Sequence, residues 1–243
     1  MKFITGSRQR LSLPLLKWCP DPVVLVEPQE LAAYREKHPT LDIFAHPKNN
    51  GGFSYLMNEM VRRTLDAGER YFAFTDDDVT ALKERQSLIG KFKHVENVQE
   101  TLDWLVRLTK LHGLAQLAVS FSGQSWAATN EMQMPVGAWG VHITDAEAVK
   151  KVGGFDEELI CFGDWDLSAR LIKAGYRTAR TNLVTFVHKM KSFEGGAADV
   201  YKKKEAVKAA AQRVASKFPG AATVKYVEAH GLHEVRFNWK KLR

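Results

Sequence analysis

The sequence has little cysteine, no long apolar run, no internal repeat and no low-complexity stretch. Its two cysteines, Cys19 and Cys161, lie far apart and lack metal-ligand spacing. That excludes a disulfide framework or a thiolate zinc site and predicts two reduced thiols in a cytosolic setting. The longest apolar runs, such as Val23 to Val26 and Leu114 to Phe121, fall far short of the roughly 18 residues of a membrane span. The start, Met-Lys-Phe-Ile-Thr-Gly, has no extended apolar segment with a cleavage site. No secretory leader is therefore expected, and the expected compartment is the cytoplasm.

With 45% hydrophobic and 26% charged residues, the 243-residue chain is too apolar to be disordered. A chain of this length can bury roughly 70–75% of its unfolded surface and needs no covalent staple. The charge is unevenly placed. The whole chain carries +7, the last 44 residues carry +8, and the rest carries −1. Such asymmetry points to a polyanionic partner.

In the first third, strands alternate with helices through short connections. Strands are expected at Lys2 to Thr5, Pro22 to Val26, Asp42 to Ala45 and Arg70 to Thr75. Helices are expected near Gln29 to Lys37 and from Phe53 to Leu65, the latter stopped by Gly68. The continuous Val-Val-Leu-Val run suits a strand buried on both faces. The pattern predicts an α/β fold with a doubly wound, mostly parallel sheet, whose ligands bind at the carboxyl ends of the strands. Each of the four strands ends in polar or glycine-rich residues: Gly6 to Arg10, Glu27, Lys48 to Gly52, and Asp76 to Asp78.

Further along, the pattern predicts a helix over Val98 to Leu108 ending near Gly113, strands at Ala115 to Phe121 and Val136 to Ile143, and a short helix at Thr144 to Val152. A helix at Asp164 to Ala174, a strand at Thr181 to Val187 ending in His188, and a loop containing Gly195-Gly196 follow. The chain closes with a basic helix lined by Val200, Val207, Ala211, Val214 and Phe218, and with two strands, Thr223 to Glu228 and Glu234 to Trp239, that could form a hairpin around Gly231. We divide the chain into a core over 1–198, with halves 1–80 and 81–198, and a basic extension over 199–243 packed on it.

Three adjacent carboxylates repel one another, so Asp76-Asp77-Asp78 at a strand end calls for a cation. The bland alternative is a solvated acidic turn. Gly153-Gly154-Phe155-Asp156 precedes Gly163-Asp164-Trp165-Asp166-Leu167. One of the two aspartates can cap the helix while the other faces a cleft as a base, and spacing does not choose between them. A histidine at a strand end, such as His188, is most often a surface or hydrogen-bonded residue. Its placement late in the chain makes it a candidate ligand. His46, His142, His230 and His233 read as structural.

This order of motifs resembles the GT-A-fold glycosyltransferases, in particular those of family 2, over about residues 1 to 190. The resemblance implies a nucleotide-sugar donor, most simply a UDP-sugar, and Mn²⁺ or Mg²⁺. It implies that Thr5, Ser7, Arg8, Arg10 and Glu27 hold the nucleotide, with Asn50, Gly51 and Asn58 nearby. Asp76 would touch the ribose, Asp77 would lie in the donor site, and Asp78 and His188 would hold the metal. Asp164 would be the catalytic base, giving inversion, and Lys189 with the Gly195-Gly196 loop would close over the donor. The chain has Gly163-Asp164 where relatives commonly have Glu-Asp, and its triple aspartate leaves the motif register open by one residue.

The short Ser7-Arg8 loop, Val23 to Pro28, the Tyr-Phe-Ala-Phe-Thr-Asp-Asp-Asp strand and the small size also resemble the TET-associated glycosyltransferases of bacteriophages. That implies transfer to 5-hydroxymethylcytosine in DNA, in the host cytoplasm if the chain is viral. Trp126, Trp139 and Trp165 would then hold an extruded base, with ordinary core packing as the alternative. Phosphates would meet the basic stripe of Lys202, Lys203, Lys204, Lys208, Arg213 and Lys217, and Lys240 and Lys241 at the end. The rival readings are a glycosyltransferase for a polysaccharide, lipid-linked or protein acceptor, and a catalytically silent nucleic-acid-binding protein.

Overall fold

The computed structural model describes residues 1–46, 52–85, 92–122, 132–188, 198–228 and 231–242. The first four strands, β1 (Phe3–Ser7), β2 (Val23–Val26), β3 (Asp42–Ala45) and β4 (Tyr71–Phe74), run parallel in the order β3-β2-β1-β4. Helices α1 (Leu31–Lys37) and α2 (Gly52–Asp66) make the crossovers. Every residue of β4 is buried, which is why its Tyr-Phe-Ala-Phe run shows no polar alternation.

Two further strands, β5 (Val79–Arg85) and β6 (Phe92–His94), follow the acidic turn. The sequence pattern did not reveal them, because their exposed edge is rich in charge. Next come α3 (Val98–Leu111), β7 (Leu114–Phe121), β8 (Met132–Gln133), β9 (His142–Asp145), α4 (Ala146–Lys151), α5 (Gly163–Lys173) and β10 (Arg177–His188). Side-chain caps start two of these helices: Asn97 accepts from the Glu100 N–H of α3, and Asp145 from the Ala148 N–H of α4.

The expected strand over Val136 to Ile143 is confined to β9. The stretch before it turns through Gly140 at φ +72°, where the ring of Phe186 fills the space of a side chain. The sheet continues β4-β9-β7-β10-β5-β6, with β8 on β10. In this half β7 and β10 are parallel, whereas β9, β5, β6 and β8 pair antiparallel.

Helices cover both faces. α1 and α3 pack Tyr34, Leu102 and Leu105 against one. α2, α4 and α5 pack Met57, Met60, Val149 and Leu167 against the other. The chain ends in α6 (Ala198–Lys202), α7 (Lys204–Lys217) and a hairpin of β11 (Ala222–Val227) and β12 (Leu232–Phe237). Val207, Ala211, Val214, Phe218 and Val235 form one buried cluster with Leu159, Ala169 and Ile172 of the core. Among the described residues, no helix is long and apolar enough to cross a membrane.

Candidate active site

The carboxyl ends of β1, β2, β3 and β4 bring Ser7, Glu27, His46 and Asp76 to one rim. The chain then turns sharply. The Asp76 N–H donates to the Gly140 carbonyl and the Asp76 carbonyl accepts from the Val79 N–H. This turn sends the three carboxylates in different directions.

Asp77 points back into the protein. It accepts from Ser7 Oγ at 2.6 Å and pairs with Arg10 Nη1, which also lies 3.2 Å from Asp78. The Tyr34 hydroxyl meets Ser7 Oγ at 2.8 Å and accepts from the Arg10 N–H at 3.0 Å. The first loop is thereby tied to the acidic turn. Burial raises the Asp77 carboxyl to about 6, against the pull of Arg10 and Ser7.

Asp76 and Asp78 face the rim. His188 joins them because β10 pairs antiparallel with β5, in a register that sets His188 opposite Val79. Its Nε2 lies 2.8 Å from Asp78 Oδ1 and 3.9 Å from Asp76 Oδ2. Its Nδ1 is buried with no hydrogen-bond partner among the described residues. Burial and the neighbouring Asp78 push the Asp76 carboxyl well up, although 31% of its side chain still reaches solvent. For Asp78, burial is outweighed by the hydrogen bond from His188, and the carboxyl is held low. His188 is correspondingly raised, with Asp78 overcoming the effect of burial.

The three residues each offer one ligand atom, all within 4.8 Å of one another. Two carboxylate oxygens and one imidazole nitrogen suit Mg²⁺ or Mn²⁺, which would retain positions for phosphate oxygens. The residues present fit such an ion. Of the three aspartates, Asp76 and Asp78 are the two whose oxygens gather with His188, while Asp77 braces the first loop.

The two acids of α5 separate clearly. Asp166 is 0% exposed and bound by Arg170 Nε at 2.8 Å and Lys217 Nζ at 2.7 Å. Asp164 lies in the first turn, after Phe162, whose left-handed backbone (φ +64°) redirects the chain into the helix. Its Oδ1 accepts from the Trp165 N–H at 2.9 Å. Burial raises it to about 7, opposed by that bond and by Arg180. Its charge adds to those that raise Asp76, which puts the base candidate within electrostatic reach of the acid–histidine cluster.

Other expected residues fall differently. Thr5 is fully buried inside β1, so its side chain belongs to the sheet interior rather than to the loop. Asn58 does not stand free for a nucleotide. Its amide accepts from the Phe155 N–H at 2.7 Å and donates to the Phe155 carbonyl at 3.0 Å and to Glu157 at 2.9 Å, clipping the Gly-Gly-Phe-Asp segment to α2. Arg8 is half-buried, on the first loop.

Trp139 packs on Phe186 and lies 6.4 Å from the His188 ring, beside the cluster. Trp165 packs against Phe237 and Trp239 of the C-terminal region. The basic stripe is divided. Arg213 and Lys217 bind Asp156, Glu158 and Asp166 and so hold α7 to the core. Lys202, Lys203, Lys204, Lys240 and Lys241 are exposed. Asn50, Gly51, Trp126, Lys189, Gly195 and Gly196 lie outside the described residues.

Sequence reasoning left His46 among structural residues. It is 2% exposed, with Nε2 3.5 Å from Glu27, and it ends β3 on the same rim. The strand-end argument that selected Glu27 would also have selected it. Two cavities, of ≈ 760 Å³ near Lys2, Trp18 and His94 and ≈ 500 Å³ near Arg70 and Lys110, lie at the opposite end of the sheet.

Solved structures match this chain at low sequence identity. The S. aureus TarS fragment 1–349 in complex with UDP-GlcNAc matches over 88% of this chain and 67% of that one, at TM-score 0.53 and 15% identity. The same fragment in another crystal structure matches over 88% and 66%, at TM-score 0.49 and 14% identity. A197 from STIV matches over 79% and 87%, at TM-score 0.43 and 13% identity. The chain spans about two thirds of the TarS fragment. No curated protein matches it in sequence.

The fold is that of the GT-A-like glycosyltransferases, and the chain is a glycosyltransferase. Its family is narrower. A sequence profile of the TET-associated glycosyltransferases matches residues 21–196, and the chain belongs to that family.

Proposed function

We propose that this glycosyltransferase moves a sugar from a UDP-sugar to the hydroxymethyl group of 5-hydroxymethylcytosine in phage DNA, with inversion at the anomeric carbon. The observation that carries the mechanism is the division of the α5 acids: Asp166 is taken up by Arg170 and Lys217, while the charge of Asp164 acts on Asp76 of the acid–histidine cluster. Asp76, Asp78 and His188 would hold Mg²⁺ or Mn²⁺, which supplies charge stabilisation to the departing diphosphate. Glu27 at the end of β2 would read the nucleobase, and Ser7 and Arg8 would line the nucleotide's approach.

Asp164 takes the proton of the acceptor hydroxyl as its oxygen forms the new bond to the anomeric carbon. The bond from that carbon to the diphosphate breaks on the opposite face, and the nucleoside diphosphate leaves with the electron pair. A target base must leave the helical stack to present its hydroxyl there. Trp139, its ring 6.4 Å from that of His188, would cover it. The family and the excess positive charge of the last 44 residues support the DNA acceptor.

The test is nucleoside mass analysis after incubation with Mn²⁺, a panel of nucleotide-sugars, and hydroxymethylated or unmodified DNA. A sugar mass only on the hydroxymethylated nucleoside, lost in Asp164→Asn, is the expected result. Donor hydrolysis that needs Asp78, without a DNA adduct, would move the acceptor to another class. A retained anomeric configuration would remove Asp164 as the base.

A further inference from the structure

We propose that the C-terminal hairpin at Lys225 and Tyr226, with the first residue of α7, is a contact surface for nucleic acid flanking the target nucleotide. Tyr226 stacks on a base or sugar face, and Lys204 and Lys225 meet phosphates. This rests on the DNA reading above.

Three observations converge on it. The first is the residual charge. Of the basic residues in the last 44, Arg213 and Lys217 are held by core acids and Arg236 by Glu234 at 2.8 Å. Lys204 and Lys225 are exposed and make no ion pair among the described residues. Lys204 and Lys225 thus place positive charge with no ion pair among the described residues at the start of α7 and on the hairpin.

The second is the hairpin's own register. On its inner face Ala222 pairs with Phe237 and Val224 with Val235, and these pack against α7. The next pair on that face is Tyr226 with His233, and it emerges into solvent. Tyr226 is 52% exposed, with its ring 5.1 Å from that of His233. Across Gly231, at φ +61°, the Lys204 ammonium and the Tyr226 hydroxyl converge. A Cβ on Gly231 would lie 3.5 Å from the first and 3.8 Å from the second. An exposed ring beside an unpaired ammonium is the pairing that binds a base and its phosphate.

The third is the link to the cleft. The hairpin packs on the helix that carries Asp164. Phe237 of β12 has its ring 6.4 Å from that of Trp165, the residue after Asp164, and Val235 shares a buried cluster with Ala169 and Ile172 of α5. A polybasic patch can also bind an anionic membrane, but a Tyr–His pair with polar edges suits stacking better than insertion among acyl chains.

The experiment uses the full chain, a short fluorescent hydroxymethylated duplex, and the variants Tyr226→Ala and Lys204→Ala/Lys225→Ala. Tyr226→Ala is expected to weaken binding about tenfold at fixed salt with the salt slope retained. The double lysine variant is expected to lower the slope of log K against log salt by about two, with melting unchanged. Wild-type affinity and slope in both variants, on DNA that the wild type modifies, would overturn the hairpin inference alone. A wild-type chain that hydrolyses donor but neither binds nor modifies DNA would overturn the DNA reading with it. Binding to phosphatidylserine vesicles that the variants lose, while DNA binding persists, would assign the patch to a membrane and overturn the proposal.

Discussion

Replacing Lys217 with methionine should destabilise the protein without acting through nucleic acid. Lys217 Nζ bridges Asp156 at 2.6 Å and Asp166 at 2.7 Å, so one ammonium ties α7 to both the Gly-Gly-Phe-Asp segment and α5. Asp166 is fully buried and would keep Arg170 as its only ion-pair partner among the described residues. Breaking a buried pair by removing one partner costs about 3–5 kcal/mol when nothing compensates. Arg170 remains here, and the 16% exposure of Asp156 admits water, so about 2–3 kcal/mol is the expected loss. For a chain of this size that is a fall in melting temperature of roughly 5–10 °C.

The acid arm supplies a second reading of the same contact. Burial pushes the Asp156 carboxyl up, but hydrogen bonds from Lys217 and Arg213 outweigh it and hold it at about 2. Its folded-state value is therefore depressed. The stability it contributes is present above pH ~4 and lost as pH falls towards 2, about 2 kcal/mol at most. The assay is thermal melting by circular dichroism at pH 7 and pH 3. Lys217→Met should melt lower at pH 7, and the gap to wild type should shrink at pH 3. A variant that melts within a degree of wild type at both values, or that loses DNA affinity while melting normally, would refute this account and return Lys217 to the nucleic-acid stripe.

Three further outcomes are expected. Asp164 must be ionised to accept a proton, so kcat/KM should rise with pH and reach half its plateau near 7, where burial sets its carboxyl against Arg180, with Cys161, Asp76 and Tyr201 as the other ionisable neighbours. Asp164→Asn should lose this limb and about 10²–10⁴-fold of turnover, and an unchanged profile would exclude it as the base. His142 is buried against Phe74, with Nδ1 2.9 Å from Thr144 Oγ1, and burial lowers it to about 3. The unfolded chain takes up that proton first, so stability should fall by about 1.4 kcal/mol at pH 5.5 and about 2.7 kcal/mol at pH 4.5; urea titration of His142→Gln should show a flatter acid slope. Gly137→Ala would set a methyl 2.6 Å from the Trp239 ring, so it should loosen the C-terminal packing, lower the melting temperature and change tryptophan emission; wild-type melting would contradict that packing.

Much of the fold was legible because the first third obeys local rules. Val-Val-Leu-Val and Tyr-Phe-Ala-Phe read as fully buried strands, and all of their residues but the half-buried Val23 are buried. The rim argument then collected Ser7, Glu27 and Asp76 without tertiary information. What the sequence withheld was pairing at long range. β5 and β6 carry Lys83, Glu84, Arg85 and Lys93 along an edge, and charge there hides a strand from any hydrophobic period. Without β5 there was no physical reason for His188 to meet residues more than a hundred positions earlier. Its identification rested on resemblance, and the antiparallel register from Val79 to His188 supplies the cause.

The same limit explains the aspartates. Spacing could not say that a turn closed by the Asp76 carbonyl and the Val79 N–H would turn Asp77 inward to Ser7 and Arg10. Nor could it say that Lys217, read as part of a solvent-facing stripe, would bind Asp166 and so leave Asp164 as the member of the pair without that ammonium. A counter-charge contributed from 51 residues away thus separates the two acids. In the proposed reaction the C-terminal region therefore serves the catalytic site as well as offering a candidate binding surface: with Lys217 neutralising Asp166, the remaining acid of α5 would act as a base without a like charge unpaired beside it.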